Sequence, residues 1–254
     1  FPLSSSFVAP GVLTRNPALL KEVFLSMIGV DPADDQSFEL RSKESKPSRK
    51  RIILCVNRSL GEMELLQTKL RSFLAQLKLN GFEIIFIDLP EVSFDYTTIS
   101  STDIRADITK FLHRYGSDNE PRSFEGLVEC YRERPHAHLY GMERLEDALA
   151  MPQIEKSELK KLVQENVAKA RNLIDDILAH YDADFVGFLN FVDWFSIGGG
   201  PSCTLPVSFE TKPPISIMLG ARVGNDLAIL HLVKELSEIA KAAQHVEKLG
   251  NKAE

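Results

Sequence analysis

Two short apolar runs with an amphipathic stretch between them constrain this chain more than any other feature. Arg51-Ile-Ile-Leu-Cys-Val56 is a continuous hydrophobic run of strand length, the pattern of a strand covered on both faces. A long amphipathic helix is predicted over residues 61–79, Gly81 stops it, and Glu83-Ile-Ile-Phe-Ile-Asp88 reads as a second strand. Strand, helix and strand in that order form a βαβ unit, which almost always crosses over right-handedly and builds a parallel sheet.

The rest of the chain extends this α/β pattern. Asn16 as N-cap and Pro17 at the first helical position start a helix within residues 14–30, with Leu19, Leu20, Val23, Phe24 and Met27 spaced to bury one face. Residues 31–48, rich in Asp, Ser, Lys and Pro, read as a connector. Helices are predicted over 102–115, 123–132 and 142–149, and a longer one over 157–180 with an apolar stripe from Leu159 to Leu178. A third buried strand follows over 184–189. Residues 204–209 and 215–219, joined by a turn containing Lys212-Pro213-Pro214, read as an adjacent strand pair, and a last helix covers 226–249. With no internal repeat, the expectation is a single α/β unit with a mixed sheet.

Composition narrows the function classes. At 254 residues and 44% hydrophobic content the chain can bury a sizeable core. A net charge of −6 argues against nucleic acid as a partner, and the basic cluster from Arg41 to Arg51, interleaved with Ser and Pro, reads as a solvated linker. No apolar run approaches the ~20 residues that span a bilayer, so no membrane partner is expected. Cys55, Cys130 and Cys203 are too few and too scattered for a disulfide framework, which favours a reducing compartment such as the cytoplasm. His136 and His138 lack a third ligand at metal spacing and read as surface histidines; no metal and no cofactor is expected.

Few constellations carry chemistry. Gly198-Gly199-Gly200 comes near a phosphate cradle, but Pro201 and a strand follow it, so it reads as a tight loop feeding that strand. Ser202 has His231 or His180 as conceivable bases, with nothing in the sequence to bring them together. Cys203 reads as a small core residue, and the pairs Asp34-Asp35 and Asp175-Asp176 hold carboxylates that point apart. The stretch from Asn190 to Phe195 is different, because it sets three aromatics just after a buried strand. Loops at the carboxyl ends of strands line the ligand crevice in open α/β sheets. Asn190, Phe191, Asp193 and Trp194 are therefore the substrate-binding candidates, with simple closure of the core as the competing reading.

Several phrases, in order along nearly the whole chain, resemble the amidase signature family downstream of its catalytic serine. Pro2-Leu3-Ser4-Ser5-Ser6-Phe7-Val8-Ala9-Pro10-Gly11-Val12, then Thr14-Arg15, then Val30-Asp31-Pro32-Ala33-Asp34 are similar to the family's Pro-Leu-Ser, Ser-Leu-Asp, Gly-Pro, Ala-Arg-Thr and Pro-Asp-Pro phrases. Leu89-Pro90-Glu91, the approach Tyr181-Asp182-Ala183-Asp184 and the segment from Gly200 to Phe209 agree with later family phrases. The resemblance implies a mixed β-sheet core wrapped by helices, incomplete on its N-terminal side, with residues 1–254 as the C-terminal part of a single amidase-signature-like domain. It also implies hydrolysis of carboxamide C–N bonds by a Lys–Ser–Ser triad. No position here matches those three residues, so no catalytic residue is assigned; the chain opens at Phe1, and the triad is expected upstream in a missing N-terminal half.

Three departures qualify the resemblance: Val8 stands where the family has Asp, the usual Leu-x-x-Pro-Thr loop is replaced by Gly187-Phe188-Leu189-Asn190-Phe191, and Ser208 stands where Gly is favoured. They leave open an alternative, a non-catalytic amidase-like scaffold or binding protein. The expected partners are a small-molecule amide substrate, the N-terminal half and, for a chain with exposed edges, another copy of itself. By itself the chain is expected to be unstable or to associate.

Overall fold

The apolar runs become strands with the expected bounds. The structure, a computed structural model, describes residues 4–32, 50–118, 120–134, 136, 141–209, 211 and 213–250, with side chains described as far as residue 244. All of the connector expected at 31–48 beyond residue 32, most of the basic cluster and His138 lie outside the described residues.

Five strands form one sheet: β1 (Arg51–Val56), β2 (Glu83–Asp88), β3 (Phe185–Phe188), β4 (Ser202–Ser208) and β5 (Ile215–Gly220), in the order β2-β1-β3-β5-β4. β1 pairs parallel with both β2 and β3, whereas β5 runs antiparallel to β3 and to β4, so the sheet is mixed as expected. The carboxyl ends of β1, β2 and β3 consequently share one edge of the sheet. Ile52, Leu54 and Val56 face a core shared with helices on one side, and Ile53 and Cys55, which alternate to the other side, are equally buried. That double burial is why β1 is apolar at consecutive positions.

The chain divides into two compact units. The first comprises residues 1–10 and 93–169, the second residues 11–92 and 170–254, which hold the whole sheet. In the second unit, α1 (Pro17–Met27) starts as expected, with Pro17 first and the Asn16 Oδ1 accepting from the Ala18 N–H at 3.0 Å. Its expected burial is not found. None of its residues is fully buried, and Leu19, Val23, Leu25 and Met27 are each 40–49% exposed. Only Leu20 packs against the sheet-side core, next to α9 (Asp226–Gly250).

The single long helix expected over 61–79 is two helices, α2 (Glu62–Thr68) and α3 (Arg71–Leu79), preceded by a 3-10 turn at Arg58–Leu60. The break lies at Lys69 and Leu70, where both backbone N–H groups donate to the Leu65 carbonyl. Leu66, Leu70, Phe73 and Leu77 nonetheless keep one apolar face across it and pack on the sheet with α9. Gly81, at φ 81°, then reverses the chain into β2 with a backbone conformation that other residues rarely adopt.

The first unit is helical. α4 (Tyr96–Tyr115), α5 (Phe124–Arg132) and α6 (Glu143–Ala150) bury Ile104, Ile108, Leu112, Phe124, Val128 and Ala148 together. α7 (Lys156–His180) begins in this unit and ends in the other. The segment from Ser4 to Phe7 is tied to α4 by backbone and side-chain donors: Ser6 N–H and Ser4 Oγ–H both donate to Asp103, at 3.1 and 2.5 Å, and Ser5 N–H donates to Asp107 at 2.7 Å. Phe7 stacks on Tyr96 with ring centres 5.8 Å apart.

Candidate functional site

At the carboxyl edge of the parallel strands, three loops of the second unit are held by two polar links. The turn after β1 presents Asn57, whose Oδ1 accepts from the Ser59 N–H and hydroxyl at 3.1 and 2.6 Å. Gly61, at φ 69°, closes that turn and starts α2 at Glu62. A carboxylate in the first turn of a helix faces the positive end of the helix dipole. Glu62 is buried, accepts the Asn57 N–H at 2.6 Å, and accepts a second hydrogen bond from the Asn190 amide across 128 residues of sequence. Arg58 forms an ion pair with Asp88 at the end of β2.

The four sequence candidates take different places. Asn190 is exposed, its side-chain amide bonded to Glu62, and Phe191 is 79% exposed. Asp193 stands just before the short helix α8 (Trp194–Gly198), and partial burial pushes its carboxyl above the ordinary Asp range. Trp194 is buried, edge-on to Phe188 at 5.0 Å, so its ring packs in the interior. The structure thus brings Asn190 to Glu62, turns Phe191 outward and turns Trp194 inward. Glu62 carried no signal in the sequence beyond an acidic residue following a glycine after a strand.

The chemistry available on this edge is that of binding. Burial, reinforced by the nearby Glu62 charge, pushes the Cys55 thiol up to about 12, and burial alone pushes Cys203 up to about 11. Both remain protonated thiols at neutral pH and are poor nucleophiles. Ser202 lies exposed at the start of β4, and among the described residues no hydrogen bond joins it to His180 or His231. Asn190, held through its amide by Glu62, directly precedes the exposed Phe191 in the chain, so a fixed polar side chain is followed by an apolar one.

No family model and no curated protein matches the chain. Solved structures do. An amidase family protein from Bacillus anthracis str. Ames superposes with a TM-score of 0.80 at 16% identity, over 94% of this chain and 50% of that one. The native peptide amidase from Stenotrophomonas maltophilia gives 0.78 at 16% identity, over 94% and 55%. A bacterial aryl acylamidase of the amidase signature family gives 0.52 at 15% identity, over 85% and 49%. This chain spans about half the length of these proteins, and over that half it has the fold of the amidase signature enzymes.

Proposed function

We propose that the chain is the C-terminal, pocket-forming part of an amidase-like hydrolase acting on carboxamide C–N bonds, with its Lys–Ser–Ser triad supplied by residues outside 1–254. The observation that carries this reading is the superposition on amidases over nearly the whole chain but only about half of each partner. Phrases that resemble the family's stretch after the catalytic serine run in the same order along the chain. In this reading the nucleophile and the oxyanion donors lie elsewhere, and these residues shape the space that receives the acyl or amine side of a small-molecule amide. Asn190 is the group that orients the substrate, since Glu62 fixes its side chain before any ligand arrives. Phe191 supplies apolar contact surface.

The test uses the protein expressed in full, assayed for amine or ammonia release from a panel of aliphatic, aryl and peptide amides. Hydrolysis of at least one class is expected. Because Phe191 is exposed, Phe191→Ala should leave the thermal transition unchanged and raise KM by roughly fivefold or more, the loss of about 1 kcal/mol of apolar contact, with a smaller change in kcat. A folded protein inert toward the whole panel would overturn the proposal. That outcome would favour a second reading, a non-catalytic amidase-like scaffold, which Val8 already supports by standing, half exposed, where the family carries a carboxylate.

A further inference from the structure

At the opposite edge of the sheet, where β3 and β4 begin and β5 ends, a cavity of about 180 Å³ opens to solvent between α7, the loop after α8 and the turn after β5. Two arginines line it. Arg171 Nε donates to the Gly198 carbonyl at 2.6 Å, which fixes the guanidinium plane, and its two terminal nitrogens have no partner among the described residues. Arg222 is shared: its Nε pairs with the Asp175 carboxylate at 3.1 Å, and its terminal nitrogens reach the Ala183 and Asp175 carbonyls at 3.4 Å. With Asp175 balancing Arg222, the cavity keeps one uncompensated positive charge.

The glycines at 198–200 bring bare backbone close to these donors. Gly199 sits at φ 69°, and a Cβ there would lie 3.4 Å from Arg171 Nη2. A Cβ on Gly200 would lie 3.0 Å from the Ala221 carbonyl oxygen and 4.0 Å from the Val223 amide nitrogen, whose N–H has no acceptor among the described residues. A guanidinium with its plane fixed and its terminal nitrogens unpartnered, and an unpartnered backbone N–H, on residues that line one cavity, match the planar or tetrahedral oxygens of a small anion. The cavity falls below the ~300–1,000 Å³ of drug-sized sites, which suits a single oxoanion group.

We propose that this cavity, built on Arg171, Gly198, Gly200, Arg222 and Val223, binds a small oxoanion, a phosphate or carboxylate group. It lies at the other end of the strands from Asn190 and Glu62 and does not rest on the amidase reading. The test is calorimetric titration of the protein expressed in full, at low ionic strength, with inorganic phosphate, acetate and phenyl phosphate.

Saturable binding of phosphate or acetate is expected. Arg171→Gln should weaken it roughly tenfold or more, as expected for losing a charge-assisted pair of hydrogen bonds, and Arg171→Lys should restore part of it. Asp175→Asn should strengthen binding, because it frees Arg222 and removes a repelling carboxylate. Tighter binding of phenyl phosphate than of phosphate assigns the group to a larger molecule, and equal binding assigns it to the free ion. No binding of any of the three, or binding that Arg171→Gln leaves unchanged while Asp175→Asn weakens it, would overturn the proposal. Arg171 and Asp175 are exposed, and unchanged thermal transitions confirm that the variants fold.

Discussion

Asp226 shows how one residue can be well placed for its helix and costly for the fold. It sits in the first turn of α9, where the helix dipole favours a negative charge, yet one carboxylate oxygen is buried without a hydrogen-bond partner. Burial outweighs the backbone hydrogen bond that favours ionisation and raises its pKa above the ordinary Asp range. The native state therefore holds the proton more tightly than the unfolded chain does. Unfolding stability falls as pH rises from the ordinary Asp value to the raised native value, and is constant above it. Asp226→Asn removes that loss. It should raise the urea midpoint at pH 7, and the gain should shrink as pH is lowered toward the ordinary Asp range; an equal or lower midpoint at pH 7 would show that the ionised carboxylate is compensated. The sequence displays Asp226 as an ordinary helix-start acid, because nothing local reports that the surrounding atoms shut out water. Asn190 illustrates the same limit: its position after a strand was legible, but its partner Glu62 lies 128 residues away.

At the level of elements, continuous apolar runs and caps were legible because their causes are local. β1 and β2 have the expected bounds, and the Asn16 cap and Pro17 start α1 where the sequence places them. The break between α2 and α3 was not legible, since Leu66, Leu70, Phe73 and Leu77 preserve helical spacing across it and periodicity cannot register a local change in hydrogen bonding. The burial expected of α1 failed for a complementary reason: an apolar face in the sequence does not say whether anything packs on it. α8 went unrecognised because it is only five residues long and owes its place to tertiary packing. The seat for that packing is Gly220, where a Cβ would fall 2.0 Å from Cζ of the buried Phe195 ring. Gly220→Ala must displace that ring or the end of β5, and should cost about 1–3 kcal/mol in urea denaturation, as overpacked cores do. Pairing it with Phe195→Leu, which shortens the ring side chain, should recover part of the loss; two independent, additive losses would contradict this account of how α8 is seated.

For the whole molecule, the sequence resemblance and the superposed structures point the same way, although no one phrase of the chain is specific. The fold of the amidase signature enzymes is recognisable through the order of its strands and helices, while the candidate site depends on contacts between loops far apart in sequence. The exposed apolar side chains of α1 and the outward ring of Phe191 are consistent with a surface made to be covered. The central claim, that these residues belong to a longer amidase-like polypeptide carrying its triad elsewhere, is tested most directly by the intact mass of the protein isolated from its natural source. A mass well above the 28.5 kDa of these 254 residues is expected, and a mass near 28.5 kDa would contradict the claim by leaving no polypeptide in which the triad could reside.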